Sequence, residues 1–326
     1  MIRYTMSQAL LRGADKKKLL VERAKEYARR SRAENTLRAY RAAWTDFAQF
    51  CADHDADALP ALPETVAAYL TFLAQHQKIS TLVSKIAAIR FRHRAKGLPD
   101  PTHSEVVELV LDGIKRNHGA PPNAKAPVTR AELQRMVNAF PRNLAGLRNR
   151  AMILLGYAAD LRRSELVALR VEDVQFLSDR MIVTIRHSKT DQHGAGYAIH
   201  IPQMQDEHVC PVRALRAWLR VAAIQSGRLF RGVDRWGHIR DEALTDKVVA
   251  LVVKKAAERI GLNARDFAGH SLRRGMITQA GQDQAQAYDV RKVSRHKSDA
   301  MLNRYMGEEA KAQMRVIRRV LGEVDG

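Results

Sequence analysis

The chain has 326 residues, 46% of them hydrophobic, with 55 Lys and Arg against 35 Asp and Glu for a formal charge of +20. That length suits two domains with separate cores, and the two cysteines, Cys51 and Cys210, are too few for a disulfide framework or a zinc site and read as buried or incidental thiols. No apolar run approaches membrane-spanning length and the first residues lack the apolar stretch of a signal peptide, so the expected location is the cytoplasm.

The first elements are helical. Lys16 to Ser31 reads as a charged helix, and from Asn35 the residues Leu37, Tyr40, Trp44, Phe47 and Phe50 recur at helical spacing, a core stripe. Pro63-Glu64 opens a helix through Gln75, Ser80-Thr81 opens another to about Lys96, and Ser104 to Asn117 forms a further one after Gly97-Leu98-Pro99-Asp100-Pro101. The stretch from Gly119 to Pro127 carries three prolines, which lack an amide donor and restrict their neighbours, so it should be an extended linker. Thr129-Arg130-Ala131-Glu132 is then a capping box that starts the next helix, followed by one from Leu144 to Ala159.

Beyond Ala159 the period changes to two. Met181 to Ile185 and Tyr197 to Ile201 flank a turn containing Gly194 and Gly196, a β-hairpin with a third strand around Val174 to Phe176. Helices resume at Pro211, Thr245 and Leu272, then in short pieces to the end. Ala310, Met314, Ile317, Val320 and Leu321 mark an apolar stripe in a last helix.

The charge points to a partner. Such an excess costs self-repulsion, and a polyanion is the usual reason to carry it. Before Val128 the chain has 21 basic and 13 acidic residues, an excess of +8, which leaves 34 and 22 after it, an excess of +12. A basic tail would gather the excess at one end; this split suits two lobes that both touch nucleic acid.

Phosphodiester cleavage by a side chain needs a nucleophile, charge neutralisation at the nonbridging oxygens and a proton for the departing 5′-oxygen. Tyr305 can be the nucleophile, although a phenol with its ordinary pKa of about 10 needs a base or strong positive charge nearby. Arg162 and Arg273 offer forked donors that stay charged and match phosphate geometry, the electrostatic role that metal ions fill in many nucleases. Arg163 and Arg274 are adjacent alternatives. No carboxylate cluster of the metal-nuclease kind is evident. His187, His193 and His200 also cluster near the hairpin, but metal binding would need convergent ligands with a suitable second shell, and neither metal nor cofactor is expected.

These residues resemble the tyrosine recombinases, the phage-integrase family, and among them the Cre-like and Xer-like members. The resemblance runs from about Ser31 to the C-terminus. It rests on Leu161-Arg162-Arg163-Ser164-Glu165-Leu166, Lys189 in the hairpin, His270-Ser271-Leu272-Arg273, and His296 nine residues before Tyr305. Each piece alone is weak; all in this order are strong. The stretch from Asn35 to Pro101 is also similar to the Cre-type helical core-binding domain.

The resemblance implies a mainly α fold with a small β-sheet. Residues 1–118 would form an N-terminal helical core-binding domain, 119–127 a linker, and 128–326 a C-terminal α+β catalytic domain with a final oligomerisation helix. Arg162 and Arg273 would hold the scissile phosphate and His270 would act as base toward Tyr305. Lys189 would protonate the leaving 5′-oxygen, His296 would bond a nonbridging oxygen, and Glu165 would orient a neighbouring basic side chain. Thr36, Arg38 and Arg41 on one helix, Thr81, Ser84 and Lys85 on another, and Thr245, Asp246 and Lys247 at a third would face DNA. Arg90, Arg92 and Arg94 would meet phosphate, since a basic run carries no sequence code.

The implied activity is site-specific recombination through a 3′-phosphotyrosine. The implied partners are double-stranded DNA with an inverted-repeat target and a homotetramer joined through the last helix, with no membrane and an association with the nucleoid when DNA is bound. A type IB topoisomerase-like enzyme and a catalytically silent DNA-binding or architectural protein are the competing readings.

Overall fold

The computed structural model describes residues 19–23, 27, 32, 34–119, 125–186, 196–295, 299–307, 313–314 and 317. It divides into two compact units, Met1–Pro122 and Asn123–Gly326. The fold is mainly helical with small antiparallel sheets.

In the first unit, α1 (Glu34–Asp53) packs on α3 (Ile79–Ala95), and α2 (Pro63–Ala74) packs on α4 (Glu105–His118). Their apolar faces close over Phe47, Phe50, Tyr69, Leu70, Leu82, Ile86 and Ile89, so Phe47 and Phe50 of the stripe are core, Trp44 packs against them, and Leu37 and Tyr40 stay half-buried outside that cluster. Pro63 stands in the first turn of α2, where its missing N–H costs nothing. His93 is fully buried and serves the fold. Its Nδ1–H donates to the Ile89 carbonyl at 2.9 Å, and its Nε2 accepts from the Ala61 amide at 3.0 Å. From the charged helix expected over Lys16 to Ser31, residues 19–23 and 27 are described and helical.

The second unit begins inside the expected linker, at Asn123. The Ala126 amide donates to the Asp266 carbonyl at 2.8 Å and the Val128 amide to that of Ser271 at 3.0 Å, so this strand-like piece is tied to the second unit. Thr129 and Glu132 close the expected capping box ahead of α5 (Arg130–Asn138). Helix α6 (Leu144–Ala158) runs through the core, with Ala151 to Leu155 all buried, and packs against the later helices α8 (Pro211–Val221) and α10 (Gly269–Gln282). A short α7 (Arg163–Ala168) leads to the sheet β1 (Val174–Phe176), β2 (Arg180–Ile185) and β3 (Tyr197–Pro202), in that spatial order. Met181 pairs with Ile201 and Val183 with Ile199, which puts all four on the core face. Trp218 of α8 is fully buried, its indole N–H bonded to the Leu229 carbonyl at 2.9 Å.

Two features depart from the sequence reading. A second, two-stranded sheet, β4 (Arg231–Val233) with β5 (Ile239–Ala243), goes unannounced because its residues are half-exposed and do not alternate. Helix α10 begins at Gly269, three residues before Leu272, because Ser271 accepts a hydrogen bond from the Ala268 amide at 3.0 Å and closes the first turn early. Helix α9 (Asp246–Arg259) starts where Thr245 predicts. Finally α11 (Ala287–Ser294) and α12 (Asp299–Met306) pack on α10 around a separate cluster of Ile277, Val290, Leu302 and Met306. Of the last apolar stripe, Met314 and Ile317 are described, helical and exposed; the rest lies outside the described residues. Both cysteines are buried free thiols.

Candidate active site

The turn after α6 sets the first cationic side chain. The chain reverses through Asp160, at φ 48°, and Leu161 is buried behind it. Arg162 is extended at the N-terminus of α7, and Glu165 reaches back from the first turn. The Arg162 amide donates to Glu165 Oε2 at 2.9 Å and its Nη1 to Oε1 at 2.6 Å. A carboxylate in a first helical turn satisfies an orphan amide and complements the helix dipole. Here the same carboxylate also aims a guanidinium.

Arg273 comes from α10 and is deeply buried. Its Nη1 donates to the Asp160 carbonyl and lies 2.9 Å from Asp160 Oδ2, while Nη2 donates to the Ser294 carbonyl at 2.9 Å. Arg295 arrives from the end of α11 in a left-handed conformation, φ 56°. Its Nη2 donates to Glu165 Oε2 and to the Asp160 carbonyl, both at 3.0 Å. The guanidiniums of Arg162, Arg273 and Arg295 and the carboxyl groups of Asp160 and Glu165 therefore form one group, buried except for Arg162. Non-glycine residues in the left-handed region cost roughly 1 kcal/mol or more, and this group contains two of them.

The titration behaviour follows from this packing. Burial pushes the Asp160 carboxyl up, to about 8, against the pull of Arg273, Arg295 and Arg162. Glu165 is also raised by burial, but Arg295 and the bonds from Arg162 outweigh that and hold it below the usual carboxylate range. For His270, partial burial and then the fields of Arg273, Arg274, Arg162 and Arg163 lower the pKa below its ordinary 6.5. The imidazole is thus neutral at pH 7 and able to accept a proton.

Arg162, Arg163, Asp246, His270 and Arg273 line an open cleft of about 450 Å³ at the N-termini of α7 and α10. Arg163 lies 3.6 Å from Asp246. A cleft with three arginines and one acidic side chain suits an anion such as a phosphodiester. Arg162, His270 and Arg273 meet here, with Glu165 behind them. Tyr305 is half-buried on α12, outside the cleft lining, and packs on α10 with the Arg274 guanidinium 5.2 Å from its ring centre. Arg274, weighed as an alternative to Arg273, is therefore the neighbour of the tyrosine. Lys189 and His296 lie outside the described residues. Asp160 and Arg295 carry no periodic or motif signal, and the sequence reading missed both.

Among the described residues no three His, Cys, Asp or Glu side chains gather as metal ligands would. His187 and His193 lie outside those residues, and so does the turn that would bring them to His200. Among the described residues no helix is long and apolar enough to cross a membrane.

The residues expected to face DNA divide. Arg38, Arg41, Ser84, Arg92 and Arg94 are exposed in the first unit, with Thr36, Thr81 and Arg90 half-buried. Arg90 and Arg94 both place Nε 3.3 Å from Asp100 Oδ2, and Arg92 stacks over Trp44 at 5.5 Å. Lys85 corrects the expectation. It is buried and its ammonium is paired with Asp46, which also accepts from the Tyr69 hydroxyl at 2.9 Å. That lysine points into the helical bundle because its helical face is the one that packs on α1. In the second unit Thr245 and Lys247 are exposed at the start of α9, while Asp246 faces Arg163.

Residues 127–311 match the phage integrase family. An integrase/recombinase xerD homolog of Selenomonas ruminantium is 39% identical over 288 residues, covering 87% of this chain and 84% of that protein. Recombinase cre of Escherichia phage P1 is 28% identical over 175 residues, 52% of this chain and 51% of that one. A lambda integrase tetramer bound to a Holliday junction superposes with a TM-score of 0.60 at 16% identity, covering 88% of this chain and 75% of that one.

Proposed function

Because the chain belongs to the phage integrase family of tyrosine recombinases, we propose that it is a site-specific DNA recombinase that cuts and rejoins strands through a covalent 3′-phosphotyrosine. The observation that carries this reading is the cleft in which Arg162, Arg273 and a neutral His270 converge. The two guanidiniums neutralise the nonbridging oxygens of the scissile phosphate, whose charge grows toward the pentacoordinate transition state. His270 takes the phenolic proton as the Tyr305 oxygen attacks phosphorus. The 5′-oxygen leaves with a proton from Lys189, and His296 bonds a nonbridging oxygen. Glu165 keeps Arg162 aimed from below.

The bond energy stays in the phosphotyrosine, so a 5′-hydroxyl from a second duplex can attack it and restore a phosphodiester without ATP or a metal. The pairing of two sites by four protomers, with the last helix joining neighbours, is part of the same proposal. So are the two-domain assignment, with residues 1–118 binding the core site and 128–326 carrying the chemistry, and the DNA-facing roles of Thr36, Arg38, Arg41, Thr81, Ser84, Thr245 and Lys247.

The test begins by selecting bound sites from random duplexes. A recovered site is then nicked so that the 5′-hydroxyl product diffuses away and the adduct accumulates. Wild-type protein is expected to give a denaturant-stable protein–DNA adduct, and Tyr305→Phe to bind the same site without one. An adduct in Tyr305→Phe would overturn the assignment. Relaxation of supercoils on any DNA by a monomer would instead support the topoisomerase-like reading.

A further inference from the structure

The buried group beneath the cleft contains two residues that neither the motifs nor the chemistry above uses. Asp160 ends the turn after α6 and Arg295 ends α11, 135 residues later. Both are charged residues in the left-handed backbone region where glycine would be at ease, at φ 48° and 56°. Asp160 is fully buried and the Arg295 side chain is 7% exposed. A lone buried charge is strongly unfavourable, so two such residues at strained positions are retained together more readily than either alone. They meet at Arg273. The Asp160 carbonyl accepts from Arg273 and Arg295, its carboxylate sits 2.9 Å from Arg273 Nη1, and Ser294, next to Arg295, gives Arg273 its other carbonyl.

We propose that Asp160 and Arg295 act as one positioning unit, fixing the Arg273 guanidinium in the floor of the cleft while their opposite charges offset each other. This rests on the recombinase reading of Arg273 as a phosphate ligand. If Arg295 is removed alone, the Asp160 carboxylate is answered mainly by Arg273, whose charge is then drawn inward and away from a phosphate. If Asp160 is removed alone, Arg295 and Arg273 repel each other with one fewer anion between them. When both are removed the charge balance is restored and two left-handed strains are relieved. The groups facing Asp160 are Arg273 from α10, Arg295 from the end of α11, and Arg162 and Glu165 from α7. Because burial holds the Asp160 carboxyl up, its charge changes across the neutral to mildly alkaline range, which gives a pH signature.

The experiment is a double-mutant cycle of Asp160→Gly and Arg295→Gly on the full chain, with single-turnover adduct formation on a nicked selected site and separate measurement of noncovalent binding. At pH 9, where Asp160 is ionised, each single variant is expected to slow adduct formation about tenfold at saturating protein, with site affinity held within about threefold. The double variant is expected to return to within about threefold of wild type. The Arg295→Gly defect should deepen from pH 7 to 9 as Asp160 ionises, and the double variant should lack that trend.

Asp160→Asn, which keeps the side-chain shape, covers the case in which a glycine variant fails to fold. At pH 9 it should slow the reaction like Asp160→Gly and be corrected by Arg295→Gly. Single effects that simply multiply in the double variant, or an Arg295→Gly enzyme with the wild-type rate and pH profile, would overturn the proposal alone. A wild-type protein that forms no adduct on its selected site would overturn the recombinase reading and this proposal with it.

Discussion

A methyl group at position 281 would collide with the backbone that carries Tyr305. Gly281 lies in the last turn of α10, and a Cβ built there would stand 2.7 Å from Met306 Cα and 2.9 Å from its carbonyl carbon. Non-bonded carbons rest at roughly 3.5–4.0 Å, so α12 must yield by about 1 Å, and no rotamer change can relieve a clash with backbone. Overpacking of this size costs about 1–3 kcal/mol of stability, or roughly 2–10 °C in melting temperature for a unit of this length. The effect on chemistry is larger, because a reacting group displaced by about 1 Å loses on the order of 100-fold in rate. Gly281→Ala is therefore expected to form the covalent adduct about 100-fold more slowly, while binding the selected site as tightly as wild type. The assay is adduct formation on a nicked duplex, read on a denaturing gel, beside a gel-shift titration in the Tyr305→Phe background. A wild-type adduct rate in a folded Gly281→Ala protein would refute the argument that α10 sets the position of the tyrosine.

The remaining expectations concern charge. Glu165→Gln should cost about 3 kcal/mol in urea unfolding, since it leaves Arg162 and Arg295 without their buried anion. Because the folded pKa of Glu165 is depressed, its stabilisation is fully present above the unfolded value of about 4.3 and is lost as pH falls through the folded pKa. The wild-type and Gln stabilities should accordingly converge at the acid end of the titration. His270, held below 6.5, should leave adduct formation at more than half its full rate at pH 6.5, where an unperturbed imidazole would be half protonated; a rate at or below half there would contradict the lowered pKa. Lys85→Met should leave DNA affinity and its salt dependence unchanged, whereas Arg41→Ala should lower the slope of log K against log salt by about 1; equal effects would restore Lys85 to the DNA face.

Local chemistry made much of the fold readable. The capping box at Thr129, the proline opening α2 and the alternation of Met181 with Val183 each act over a few residues, and those elements lie where their pattern puts them. What escaped depends on distance along the chain. Lys85 looks like a surface cation until Asp46, 39 residues earlier, is brought beside it. Asp160 and Arg295 look like ordinary helix-end charges, because neither their left-handed backbone nor their meeting across 135 residues leaves a mark on spacing. The strands β4 and β5 lack a buried face and hence lack the alternation that betrays one. The cationic centre shows the same contrast. Its motif residues Arg162, His270 and Arg273 are legible, and the side chains that hold them are not.

The separate cluster of Ile277, Val290, Leu302 and Met306 bears on how the protein opens. The large core that secures α6, α8 and the sheet does not include these residues, so the apolar anchor of α11 and α12 is three buried side chains of their own, Val290, Leu302 and Met306, set against Ile277 of α10. Amide exchange protection in α11 and α12 should therefore fall short of the global value shown by α6, because that segment can detach from α10 without unfolding the rest. The nucleophile then rides on a sub-global unit, and its release from the domain is set by a local equilibrium.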